Sequence, residues 1–186
     1  MNQKIMKELK PSENLINFIR AYESLHDGDL TALGLQPKLD ACDIWTEGYG
    51  EVMYIEGVRA TIRNYPTLAS VIPHRTIKTE AEANIKLIDS LNSRALKVNE
   101  HITRELKQNE FDALLSHYYN CGYSETLFKL VNKQADSKKI KDWFTKHYIT
   151  GGGVVLKGLQ LRRQDEAQMY FLGDYTRDYK FSPFDF

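Results

Sequence analysis

Cysteine is scarce in this chain. Only Cys42 and Cys121 occur among 186 residues, too few for a disulfide framework and at a spacing that fits no zinc pattern, so both are expected to be small buried thiols. Long apolar runs are missing too, and nothing approaches the roughly 20 consecutive apolar residues of a membrane span. The start, Met-Asn-Gln-Lys-Ile-Met-Lys-Glu-Leu-Lys, carries charge but no apolar stretch, so no signal peptide is recognisable. Synthesis in the cytoplasm without stable membrane insertion is the expectation. Net charge is zero, which argues against general electrostatic attachment to nucleic acid or to an anionic surface. His26, His74, His101, His117 and His147 are scattered, with no His-Glu-x-x-His spacing. A Walker loop, a dinucleotide fingerprint and a recognisable Ser or Cys nucleophile setting are all missing. No metal and no cofactor are therefore expected, and the chain is expected to act as a monomer.

What is present is an ordinary globular composition, 42% hydrophobic and 27% charged, in a chain long enough to bury a core without staples. After an N-terminal extension (1–11), residues 12–24 place Leu15, Ile16, Phe18, Ile19 and Tyr22 at helical spacing, with Ser12 as N-cap. Residues 26–63 change character. Asp27-Gly28-Asp29, Gly34, Gly48, Gly50 and Gly57 punctuate β-formers and predict a small antiparallel sheet of short strands. Pro66 and Pro73 make 64–78 a loop with one helical turn. Thr79-Glu-Ala-Glu82 forms a capping box opening a long helix through Ile102, which would join two lobes. Asn109 is expected to cap a more apolar helix to about Tyr119, and shorter helices follow near 124–132, 138–148 and 157–172. The order predicts an α+β fold in a single domain, 12–172.

Glu23 closes the first helical pattern and is followed by Asp40-Ala-Cys-Asp-Ile-Trp-Thr46-Glu-Gly48-Tyr49-Gly50. One segment thus holds a lone acid, a carboxylate with a hydroxyl six residues on, and a glycine-punctuated strand. A glycosidase needs a proton donor on one side of the scissile bond and a group that manages water or the developing cation on the other. Taken singly, Glu23 reads as solvated surface and Thr46 as a β-branched strand filler; their order and spacing carry the weight.

Those residues resemble the active-site segment of the phage-type lysozymes (endolysins, glycoside hydrolase family 24), a Glu at a helix end and then Asp-x5-Thr-x-Gly-aromatic-Gly. Two further segments agree. Gln108-Asn-Glu-Phe-Asp-Ala-Leu-Leu-Ser-His-Tyr-Tyr-Asn120-Cys-Gly122 is similar to the family's central helix. Gly158-Leu-Gln-Leu-Arg162-Arg163-Gln-Asp-Glu166 is similar to its Gly-Leu-x-x-Arg-Arg-x-x-Glu helix. The resemblance implies a lysozyme-like fold, a small β lobe and a larger helical lobe joined by a long helix, and a muramidase acting on bacterial peptidoglycan. It implies Glu23 as general acid, Asp40 holding water or stabilising the cation, and Thr46 positioning that water. Tyr49, Asn120 and Gly122 would line the sugar cleft, although Asn120 also reads as an ordinary helix-end residue. Arg162 and Arg163 are expected to form ion pairs, Glu166 standing one turn on. A holin-type membrane lesion would give access to the wall. Rival readings are a non-catalytic glycan-binding module, a lytic transglycosylase and a chitinase.

The chain departs from the pattern in places. Glu23 and Asp40 stand 17 residues apart, farther than is usual in the family, and the extra residues around His26–Gly34 are expected to enlarge the first hairpin. Asp43 replaces a common turn glycine, while Glu47 and Glu51 replace an aliphatic residue and a histidine. A carboxyl donates a proton near neutral pH where burial or nearby negative charge disfavours ionisation, and Asp40, Asp43, Glu47 and Glu51 could supply that charge. The acidic excess of residues 1–60 reads equally as scatter. Beyond Gly173, Tyr175, Tyr179, Phe181, Phe184 and Phe186 form an aromatic tail (173–186) that either packs back on the helices or binds the wall or a partner.

Overall fold

In the computed structural model, which describes residues 8–23, 35–40 and 42–177, helix α1 (Glu13–Glu23) is followed by strands β1 (Lys38–Leu39), β2 (Trp45–Glu47), β3 (Glu51–Val52), β4 (Tyr54–Ile55) and β5 (Val58–Arg59). Helices α2 (Leu68–Val71), α3 (Glu80–His101), α4 (Gln108–Cys121), α5 (Glu125–Asn132) and α6 (Ser137–Lys146) come next. The hairpin β6 (Thr150–Gly151) and β7 (Val154–Val155) precedes the last helix, α7 (Lys157–Leu172). The described residues fall into two compact units: Ile19–Ser90 is one, and residues up to Phe18 with those from Leu91 onward make the other. Helix α3 runs through the division. No helix among the described residues is long and apolar enough to cross a membrane.

In the unit Ile19–Ser90, β1, β2 and β3 form an antiparallel sheet with Lys38 opposite Thr46 and Glu47 opposite Glu51. Strands β4 and β5 make a separate hairpin, and an isolated bridge joins Ile44 to Thr61. Strands of two or three residues offer few ladder bonds, so side chains hold the arrangement. Trp45, Met53, Ile55, Ala60 and Val71 form the core, with Leu39, Tyr65 and Leu68 packed against it, and the Trp45 indole donates to the Tyr65 carbonyl at 2.8 Å. The 64–78 stretch holds α2, capped by Thr67 and Ser70, and a 3-10 turn over Ile72–His74. The Thr79–Glu82 capping box is present: Glu82 accepts from the Thr79 amide at 3.0 Å and donates its own amide to Thr79 Oγ1 at 3.1 Å. The expected enlargement at 26–34 lies outside the described residues.

In the other unit, α4 is buried around its whole girth from Phe111 to His117, as befits a central helix, and packs on α7. Ser12 caps α1, its Oγ accepting from the Leu15 amide at 3.1 Å and donating to Asp112 at 2.5 Å. Asp112 is fully buried and also accepts from Gln108 and from the Tyr175 hydroxyl at 2.7 Å. Burial raises its carboxyl above the usual range, and its hydrogen bonds oppose that rise. The first aromatic of the tail therefore packs back on the helices, whereas Tyr179, Phe181, Phe184 and Phe186 lie outside the described residues. Asn109 does not cap α4. Its amide donates to the Met169 and Tyr170 carbonyls instead; Lys107 takes the cap position, and Glu110 accepts its amide at 2.8 Å.

Candidate active site

Glu23 is the last residue of α1, and its carboxylate lies against the turn between β2 and β3. A Cβ built on Gly50 would come within 2.9 Å of Glu23 Oε2. The turn is Gly48-Tyr49-Gly50, with φ of +56° and +88° at its glycines, a region that side chains other than glycine's rarely occupy. A Cβ on Gly48 would meet Ile77 Cδ1 at 2.6 Å. The Gly-aromatic-Gly pattern thus makes a reversed turn and lets a carboxylate and an isoleucine approach the backbone. Tyr49, expected to face substrate, is instead only 5% exposed. Burial lifts its phenol above the usual range, Glu80 adds to the rise and Arg20 opposes it, so the ring is an internal support of the turn.

Asp40 and Thr46 stand on the hairpin that the β1–β2 pairing forms. Asp40 donates its amide to Ile44, and Lys38 lies opposite Thr46. Asp40 and Thr46 are therefore diagonal neighbours on one face, roughly 7–8 Å apart between Cα atoms in such ladders. Asp40 is exposed. Its Oδ1 accepts from the Cys42 and Ile44 amides at 2.7 and 2.9 Å, which fixes the carboxylate's orientation and leaves Oδ2 for other work. Thr46 is buried; its hydroxyl donates to the Lys38 carbonyl at 3.1 Å, leaving the oxygen's lone pairs as acceptors. Asp43, at the site of a common turn glycine, has φ +61°, the conformation a glycine there would adopt without strain.

The expected acidic surroundings need correction. Glu47 is buried, and its carboxylate is spent on one segment: Oε2 accepts from the Thr76 and Ile77 amides at 2.9 and 3.1 Å, and Oε1 accepts from the Thr76 hydroxyl at 2.6 Å. Sequence reasoning missed this role. The available signal was a carboxylate on a buried strand, which must find donors to be tolerated there. Glu51 stands directly opposite, and its Oε1 is buried with no hydrogen-bond partner. Cys42 is exposed rather than buried, because it sits in the turn that Asp40 organises.

Asn120 and Gly122 belong to the other unit and end α4. Asn120 is exposed, accepting a weak hydrogen bond from the Cys121 thiol. Gly122 closes the helix, its amide donating to Tyr118. Behind them lies a buried polar cluster. Glu166 takes Arg163 at 2.7 Å, Arg162 at 3.4 Å and the Ser116 hydroxyl at 2.7 Å, so the expected ion pairs are present, and all four side chains are buried. Arg163 also contacts Cys121, whose thiol burial pushes up to about 11. His117 is buried among Trp143, Phe144 and Tyr148, with neither ring nitrogen hydrogen-bonded. Burial, then the charges of Arg163 and Arg162, hold its imidazole well below its usual range. Among the described residues, no group of three or more His, Cys, Asp and Glu side chains is placed to hold a metal ion.

Comparison with known proteins bears on the family and the fold. Residues 29–166 match the phage lysozyme family. The endolysin of Lactococcus phage c2 is 36% identical over 163 residues, which are 87% of this chain and 60% of that protein, so the chain spans about 60% of the length of the curated relatives it matches. Among solved structures, the endolysin from Escherichia coli O157:H7 phage FAHEc1 covers 92% of the chain and 99% of its own, with 26% identity and a TM-score of 0.66. The muramidase domain of SpmX from Asticaccaulis excentricus covers 87% and 98%, at 24% identity and a TM-score of 0.59, a likeness of fold. The α+β architecture is thus lysozyme-like.

Proposed function

The chain belongs to the phage lysozyme family, and from that premise we propose that it hydrolyses bacterial peptidoglycan at the β-1,4 link between N-acetylmuramic acid and N-acetylglucosamine. Glu23 protonates the leaving oxygen as the C1–O bond breaks. A water held by Asp40 Oδ2 and the Thr46 oxygen attacks C1 and gives its proton to Asp40. One bond to oxygen is lost at C1 and one gained, and attack on the face opposite the leaving group inverts the anomer. Tyr49 acts by holding the turn against which Glu23 lies, while Asn120 and the Gly122 backbone contact the glycan. A holin-type lesion is the delivery route that fits this reading.

The observation that carries the proposal is the Glu23 carboxylate seated on the Gly50 backbone, in the same unit as an oriented Asp40 and Thr46 on one face of a hairpin. A lytic transglycosylase needs one acid/base carboxyl and no water-holding pair, and a binding module needs neither. Mass analysis of muropeptides released from purified peptidoglycan tests the assignment. Reducing-end muramic acid is expected; anhydro-muramic products would indicate a transglycosylase, and an absence of products a binding module.

A further inference from the structure

We infer that Glu47 is a positioning residue for this reaction: its buried carboxylate anchors β2, and with it Thr46 and the turn against which the Glu23 carboxylate lies, to the Thr76–Ile77 segment. The inference rests on the proposed hydrolase reading.

A sheet whose strands run to two or three residues cannot fix a side chain through its ladder alone. Thr46 has one further tether, from its hydroxyl to the Lys38 carbonyl on the β1 side. Glu47, the next residue, supplies the other. It receives three hydrogen bonds from residues 29 and 30 positions away, so both of its oxygens are held by one segment. The next residue reinforces the joint, since Gly48 lets Ile77 Cδ1 approach its backbone. Glu47 and Gly48 therefore dock on Thr76 and Ile77 through side chain and backbone together. The Glu47 oxygens are committed to these donors, so Glu47 acts through Thr46 and the turn rather than on substrate.

The test compares Glu47→Gln, Thr76→Val, the double variant and Val71→Ala in the intact chain. Solubilisation of purified peptidoglycan is measured well below every melting point and resolved into kcat and KM. Val71 is a fully buried core residue of the same unit with no part in the site, so Val71→Ala shows what lost stability alone does. Glu47→Gln is expected to lower kcat about tenfold with KM within about twofold. Thr76→Val should lower kcat about threefold, and the double variant should be no slower than Glu47→Gln, because both changes remove one joint. Val71→Ala should melt earlier with kcat unchanged. Wild-type kcat in folded Glu47→Gln, or in Thr76→Val should Glu47→Gln not fold, overturns the inference while the hydrolase reading stands. A kcat loss in Val71→Ala equal to that in Glu47→Gln also overturns it. A wild-type chain that releases no muropeptides overturns both.

Discussion

Gly50→Ala should damage this protein in two separable ways. Gly50 has φ +88°, and forcing an L side chain into the left-handed region costs roughly 1–2 kcal/mol. In a chain of this size each kcal/mol lowers the melting point by about 2–4 °C, so a fall of about 2–8 °C is expected. The new Cβ would also lie 2.9 Å from Glu23 Oε2, inside the ~3.3 Å of an ordinary carbon–oxygen contact, and the carboxylate must retreat by about half an ångström. Since a misplacement of ~1 Å can cost on the order of 100-fold in rate, a loss of about tenfold in kcat is expected. Gly57→Ala is the control. Its φ is +79° but its Cβ would meet nothing within 4 Å, so it should melt earlier by a similar amount and keep its kcat. Circular dichroism gives the melting points, and solubilisation of purified peptidoglycan gives the rates. Equal kcat in the two variants would refute the placing of the Glu23 carboxylate over Gly50.

Glu23→Gln should lose at least about 100-fold in rate, the lower end of what a positioned acid contributes, with its melting point unchanged or raised; clearing of permeabilised Gram-negative cells at more than about a tenth of the wild-type rate would contradict the assignment. Glu166→Ala should cost about 3–5 kcal/mol in chemical denaturation, because it strips two buried arginines of a shared carboxylate; a loss below about 1 kcal/mol would show the cluster to be dispensable. His117 gives a pH signature of definite sign. Its imidazole is held well below its ordinary 6.5, so below about pH 6.5 the unfolded chain takes up a proton that the folded chain refuses. Its contribution is therefore complete above about pH 6.5 and declines as pH falls, at up to ~1.4 kcal/mol per pH unit. His117→Phe should flatten that part of the stability–pH curve, and an unchanged slope between pH 6.5 and 5 would refute it.

What could be read from the sequence was what local chemistry decides. The Thr79–Glu82 box, the Ser12 cap and the Arg162, Arg163 and Glu166 spacing each involve groups within one helical turn, and each is present in the fold. Long-range competition decided the rest. Asn109 has an N-cap's chemistry, but the carbonyls of Met169 and Tyr170, some 60 residues on, claim its amide. Glu47 read as negative charge acting on Glu23, because the three donors that claim its carboxylate lie about 30 residues away. Cys42 read as buried because small thiols usually are, yet the turn ordered by Asp40 exposes it. In the candidate site, motif spacing gave the residue types, but the seating of Glu23 on Gly50 and the burial of Tyr49 depend on how a three-residue turn meets a helix end.

In the proposed reaction, water held between Asp40 and Thr46 takes the place of the sugar oxygen that Glu23 protonates. Digestion of purified peptidoglycan in heavy-oxygen water, followed by mass analysis of the released muropeptides, tests it directly. One heavy oxygen per cleaved bond, at C1 of the muramic acid, is the predicted result. Anhydro-muramic ends without label, or label at the glucosamine end, would contradict it.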